Sequence, residues 1–175
     1  MFNFSLKTAT FYTMLRILDV VNVDNYLGRP LPKNFTDEDR LNVFHLADWY
    51  NYISQLTNNS LMFNSGKIEK IISVFDLRTK LPNTYALKWT FLSGHDTDIV
   101  ALHLGLNLSS AACIEELYLK GNTTALNCEN GANYFASNLI FELHSDDAKA
   151  FYVKIRSNGK YVNLCGKKST QCDYT

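Results

Sequence analysis

Apolar positions set at helical spacing dominate the first half of the chain. From Ser5 to Asn22, Phe11, Leu15, Leu18 and Val21 share one side, with Asp19 and Asn22 on the other, which predicts an amphipathic helix. Gly28, Pro30 and Pro32 crowd the stretch from Asn25 to Asn34, where a helix cannot continue, so a connecting loop is expected. A second helix should open at Thr36, a capping residue followed by Asp37, Glu38 and Asp39. Its expected buried stripe is Val43, Leu46, Ala47, Tyr50 and Ile53, and its end lies near Asn58-Asn59. Ile68, Ile71, Ile72 and Phe75 predict a third helix from Ser65 to about Leu77.

After Pro82-Asn83-Thr84 the period changes from helical to alternating. Trp89-Thr90-Phe91-Leu92 is expected as a strand, Ser93-Gly94 as a tight turn, and His95-Asp96 as the start of a helix. Further strands are expected at Glu116–Leu119, Phe135–His144, Phe151–Arg156 and Lys160–Leu164. Phe135, Leu139, Phe141 and Leu143 would share one face, as would Phe151, Val153 and Ile155. The last two strands would join through Asn158-Gly159, a strong hairpin signal. The fold class is therefore α/β, a helical half followed by a mixed sheet with one helix.

Composition narrows the partners. With 175 residues of which 46% are hydrophobic, the chain can bury a core. Seventeen basic and seventeen acidic residues cancel, and the chain has no basic block beyond Lys167-Lys168, so nucleic acid and anionic lipid are not expected partners. No run of roughly 18 apolar residues predicts a transmembrane helix. The start, MFNFSLKTATFYTMLRILDVV, has neither a charged n-region nor a small-residue cleavage site, so no export signal is expected in it.

Cys113, Cys128, Cys165 and Cys172 are spaced unlike the close pairs of zinc sites, which favours two local disulfides over four free buried thiols. Five sequons, at Asn3, Asn34, Asn58, Asn107 and Asn122, are candidate glycosylation sites, a weak further indication of a secretory compartment.

Chemistry concentrates at the turn after Leu92. The N-terminus of a helix presents unpaired N–H groups and a partial positive charge, so His95 and Asp96 would sit where an anion is favoured. A His-Asp pair there is equally consistent with a simple capped helix start. Of the other candidates, His45 and His103 are expected as packed or surface residues and Glu142 as structural. His144, beside Asp146 and Asp147, reads as a surface histidine, with a metal contact as the alternative. The five arginines, Arg16, Arg29, Arg40, Arg78 and Arg156, are scattered and give no phosphate clamp.

Ser93-Gly94-His95-Asp96-Thr97-Asp98-Ile99 resembles the His-Asp motif of the histidine acid phosphatases. Other segments are similar to that family in the right order. They are Asp24-Asn25-Tyr26-x-Gly28 with Leu31-Pro32 (the cap), Cys113 to Tyr118 (the strand after the motif helix), Ala136 to Leu143 (a core strand), and the closing FYVKIRSNGKYVNLC…QC (a terminal hairpin with a small disulfide loop).

The resemblance implies the C-terminal part of a phosphoglycerate mutase-like fold. Residues 1–84 would form a helical cap-like segment, and residues 85–175 a partial α/β core with C-terminal antiparallel strands. It further implies phosphomonoester hydrolysis without a cofactor or metal, in a lysosomal or extracellular setting. His95 would donate to the phosphoryl oxygens and Asp96 would protonate the leaving group. Asp98 departs from the family, which more often has Thr there.

The family's Arg-His-Gly-x-Arg-x-Pro loop, which carries the nucleophile, does not occur in these residues. Activity of the chain alone is therefore not expected. Two readings follow: a phosphatase chain completed by an N-terminal half that brings the nucleophile and a phosphomonoester substrate, or a non-catalytic phosphatase-like subunit whose exposed core is covered by partner proteins.

Overall fold

The computed structural model describes residues 10–56, 58–130, 135–166 and 168–174. The chain divides into two compact units, Met1–Tyr50 and Asn51–Thr175. Among the described residues there are five helices and a small four-stranded antiparallel sheet, a mixed α and β architecture.

In the first unit, helix α1 (Phe11–Tyr26) starts at Thr10, whose hydroxyl accepts from the Thr13 N–H. The part of the expected helix before residue 10 lies outside the described residues. Helix α2 (Asp37–Ser54) opens on a reciprocal cap. Asp39 N–H donates to Thr36 Oγ1, while the Asp39 carboxylate accepts from both the N–H and the hydroxyl of Thr36. These bonds hold the Asp39 carboxyl below its usual range. Leu18, Phe44 and Ala47 form the unit's core, with Leu15 and Val43 against it. The buried stripe of α2 is rotated from the expected one: Phe44 and Ala47 face inward, and Leu46 is exposed. Phe44 adds the larger apolar area, and burial of area decides which face turns in.

The second unit contains helix α3 (Asn58–Lys80), longer at both ends than its apolar pattern predicts. Its C-terminal turn is stapled by Arg78, which donates to the carbonyls of Pro82 and Tyr85. Helix α4 (Asp96–Gly105) packs on α3, with the hydrogen-only side of Gly105 against Ile68; a Cβ there would lie 3.0 Å from Ile68 Cδ1.

Two strand expectations are overturned. Cys113 to Tyr118 lies in helix α5 (Ala111–Lys120), so Glu116–Leu119 is not a strand. The local signals for helix outweigh its β-favouring residues. Ser110 Oγ caps the Cys113 N–H, Lys120 pairs with Glu116 one turn back, and Gly121 closes the helix in the left-handed conformation at φ 72°. Trp89–Leu92 belongs to no ladder either: residues 85–95 run without helix or strand, and none of the four strands pairs with them. A strand is defined by its neighbour, and among the described residues this stretch has none.

The sheet keeps the expected alternation, with its first strand starting at Leu139 rather than Phe135 and its third ending at Tyr161 rather than Leu164, and it is antiparallel throughout rather than mixed. Strands β1 (Leu139–Ser145) and β2 (Phe151–Ser157) pair with Phe141 opposite Ile155 and Leu143 opposite Val153. Asn158 and Gly159, both at positive φ (46° and 83°), form the turn into β3 (Lys160–Tyr161). Strand β4 (Cys172–Asp173) pairs with the start of β2. One face of this sheet, through Ile155, Val162 and Leu164, closes over Leu108, with Leu139, Phe141 and Val153 packed alongside. Phe135 lies before β1 and is exposed, so it does not join that face. Disulfides join Cys113 to Cys128 and Cys165 to Cys172, with Cα atoms 5.8 and 6.0 Å apart. No described helix is long and apolar enough to cross a membrane.

Candidate functional site

The His95 turn is positioned from three sides. α3 supplies Lys67, α4 supplies the helix N-terminus, and segment 85–95, without helix or strand, delivers the chain to it. His95 takes the N-cap position with extended backbone (φ −108°, ψ 171°) and its side chain is 89% exposed. Asp96, also exposed, accepts the Thr97 N–H at 2.8 Å. The two residues singled out by motif therefore lie side by side on the surface, at the positive end of α4.

Asp98 decides the electrostatics of the turn. Its carboxylate accepts the His95 N–H at 2.8 Å and pairs with the Lys67 ammonium. The bond from Lys67, then that from the His95 N–H, holds the Asp98 carboxyl below its usual range. Asp98 is thus neutralised by a partner 31 residues away. The same carboxylate explains Gly94: a Cβ at that position would stand 2.5 Å from Asp98 Oδ2. Lys67 carries no sequence signal, because its spacing from Asp98 reflects only how α3 and α4 pack.

The remaining candidates are used elsewhere. In the second unit, Arg78 is committed to carbonyl groups and Arg156 to Glu142, so neither arginine is available as a clamp at His95. Glu142 is the hub of the sheet's outer face, accepting from His144 Nε2 at 2.9 Å, from the Arg156 guanidinium, and from the Tyr161 hydroxyl at 3.0 Å. Burial raises its pKa, but the bonds from His144, Arg156 and Tyr161 outweigh burial and leave it lowered. His144 also stacks on Tyr152, ring centroids 5.1 Å apart. His45 is half-buried in α2, and burial lowers its pKa.

His103 is not a surface residue. It is fully buried on α4, 2.7 Å from the Tyr52 hydroxyl at Nδ1 and 3.4 Å from Ser157 Oγ at Nε2. Among the sequons, Asn34, Asn107 and Asn122 are exposed, Asn58 opens α3, and Asn3 lies outside the described residues. The Thr36 hydroxyl of the Asn34 sequon is already held by the α2 cap.

Neither a known protein family nor a curated protein matches this sequence.

Proposed function

We propose that this chain is the proton-donor half of a histidine acid phosphatase-like hydrolase, completed by a separate polypeptide segment that brings the nucleophile and the arginine clamp. In this reading His95 donates to a phosphoryl oxygen and Asp96 protonates the leaving alcohol. Phosphoryl transfer needs cations around three equatorial oxygens, and Lys67 alone does not supply them.

The observation that carries the reading is the segment leading into the turn. It runs without helix or strand, it has the residues of a strand, and Trp89, Phe91 and Leu92 are 71%, 88% and 64% exposed. Trp89 and Phe91 stack at 6.3 Å on one side, as alternate residues of a strand do. An exposed apolar segment directly beside the candidate site is what remains when the neighbouring core strands are supplied from elsewhere.

The test is hydrolysis of p-nitrophenyl phosphate at acid pH by the chain alone and by the protein isolated from its native source. The chain alone should be inactive. The native preparation should hydrolyse it and lose at least roughly a hundredfold on His95→Ala, as expected when a transition-state donor is removed. A native preparation that neither hydrolyses the ester nor binds vanadate would remove the enzymatic reading. It would leave the alternative, a non-catalytic subunit whose partner covers Trp89 and Phe91.

A further inference from the structure

His103 is fully buried in the second unit, and the proposed chemistry makes no use of it. The Tyr52 hydroxyl, at the C-terminal end of α2, donates to the Glu129 carbonyl at 2.7 Å. Its oxygen is then left to accept from His103 Nδ1 at 2.7 Å, which fixes the imidazole as the Nδ1–H tautomer. Nε2 faces Ser157 Oγ of β2 at 3.4 Å, and the single Ser157 hydroxyl proton is shared between Nε2 and the Glu129 carboxyl. Tyr52, His103 and Ser157 are all buried, at 0%, 0% and 2% exposure. One neutral imidazole therefore ties α4 to the end of α2, to the segment before β1, and to β2.

We propose that this ring is an acid-operated latch on α4: uptake of a proton at His103 Nε2 puts an uncompensated charge into the core, releases α4 from Tyr52 and Ser157, and frees the His95–Asp96 turn at the helix's other end. The groups facing the imidazole decide the sign. Ser157 does not titrate. The acid that shares Ser157 with the imidazole is Glu129, acted on in turn by Lys160 of β3.

Burial raises the Glu129 pKa, while the Ser157 bond and Lys160 offset only part of that rise. Burial lowers that of His103 to about 4. Burial thus holds Glu129 toward its neutral form while it opposes charge on the imidazole, so an imidazolium formed here lacks a full counter-ion. Expulsion into water is then its cheapest outcome. The latch holds whatever the His95 turn binds, so it stands apart from the phosphatase reading.

The experiment is NMR on the whole chain from pH 7 to pH 3, following the His103 imidazole carbons together with hydrogen exchange of amides in α4 and in β1 and β2. The latch predicts that His103 titrates near the pH at which α4 amides lose protection, while the sheet amides remain protected. His103→Asn, which keeps a donor toward Tyr52 but cannot ionise in this range, should retain α4 protection below that pH. Loss of protection in α4 and the sheet together overturns the latch, as does release of α4 in His103→Asn at the wild-type pH. If His103→Asn does not fold, the wild-type titration decides. Coincidence of the imidazole and α4 transitions supports the latch, and separation by more than about half a pH unit overturns it. The phosphatase reading stands or falls by the vanadate and ester assays alone.

Discussion

Removing Asp98 tests how the candidate turn is held. Two contributions are at stake. The carboxylate accepts the His95 N–H at 2.8 Å, a cap of the kind that contributes about 1 kcal/mol. It also pairs with Lys67, and since the side chains are 30% and 33% exposed, solvent screening limits that pair to about 0.5–1 kcal/mol. Asp98→Ala loses both and should cost about 1.5–2 kcal/mol. Asp98→Asn keeps an acceptor for the His95 N–H and should lose only the ion-pair share, about 0.5–1 kcal/mol.

Urea unfolding followed by far-UV circular dichroism at pH 7 measures both, and a double-mutant cycle of Asp98→Asn with Lys67→Met isolates the pair. The pH dependence has a definite sign. Asp98 is held below its ordinary range, chiefly by Lys67, so its contribution is present above the ordinary carboxylate pKa. That contribution fades as the pH falls through the lowered one. Equal stability of Asp98→Ala and wild type, or a coupling to Lys67 below about 0.2 kcal/mol, would refute the claim that this carboxylate sets the turn.

Gly94→Ala should cost about 1 kcal/mol, since its methyl would displace the Asp98 cap; the same unfolding assay should show almost no cost in an Asp98→Ala background. Leu108→Ala, at the fully buried centre of the sheet's apolar face, should destabilise by about 3 kcal/mol, read as a fall in the urea midpoint with an unchanged slope. Replacing Cys165 and Cys172 by Ala opens a loop of sequence separation 7, and the chain-entropy estimate gives a loss of about 2.4 kcal/mol. The matching change at Cys113 and Cys128, separation 15, should cost about 3 kcal/mol, and differential unfolding of the two double variants checks the order.

Local rules written in the sequence marked α1 to α4 and the hairpin, while the local caps of α5 at Ser110 and Gly121 went unread beneath its β-favouring residues. Thr36 with Asp39 starts α2, the isoleucine spacing marks α3, and Asn158-Gly159 makes the turn that alternation on either side requires. Each is settled within a few residues by dihedral preference, capping and periodicity, so each is legible before any fold is known. The pairing of the two hydrophobic faces in β1 and β2 follows from the same alternation, because the side-chain period of a strand is two.

Tertiary structure decided what depends on distant partners. Trp89–Leu92 has the residues of a strand but, among the described residues, no neighbour to complete one. In the candidate site, the motif located His95 and Asp96 at a helix start. The packing of α3 on α4 brought Lys67 to Asp98, and so made a surplus carboxylate part of the turn's support. His103 shows the same division. Its position on α4 follows from local pattern, while its burial among Tyr52, Ser157 and Glu129 depends on contacts 51 and 54 residues away. Pairing, burial and ionisation are properties of neighbours in space, and no window of sequence contains them.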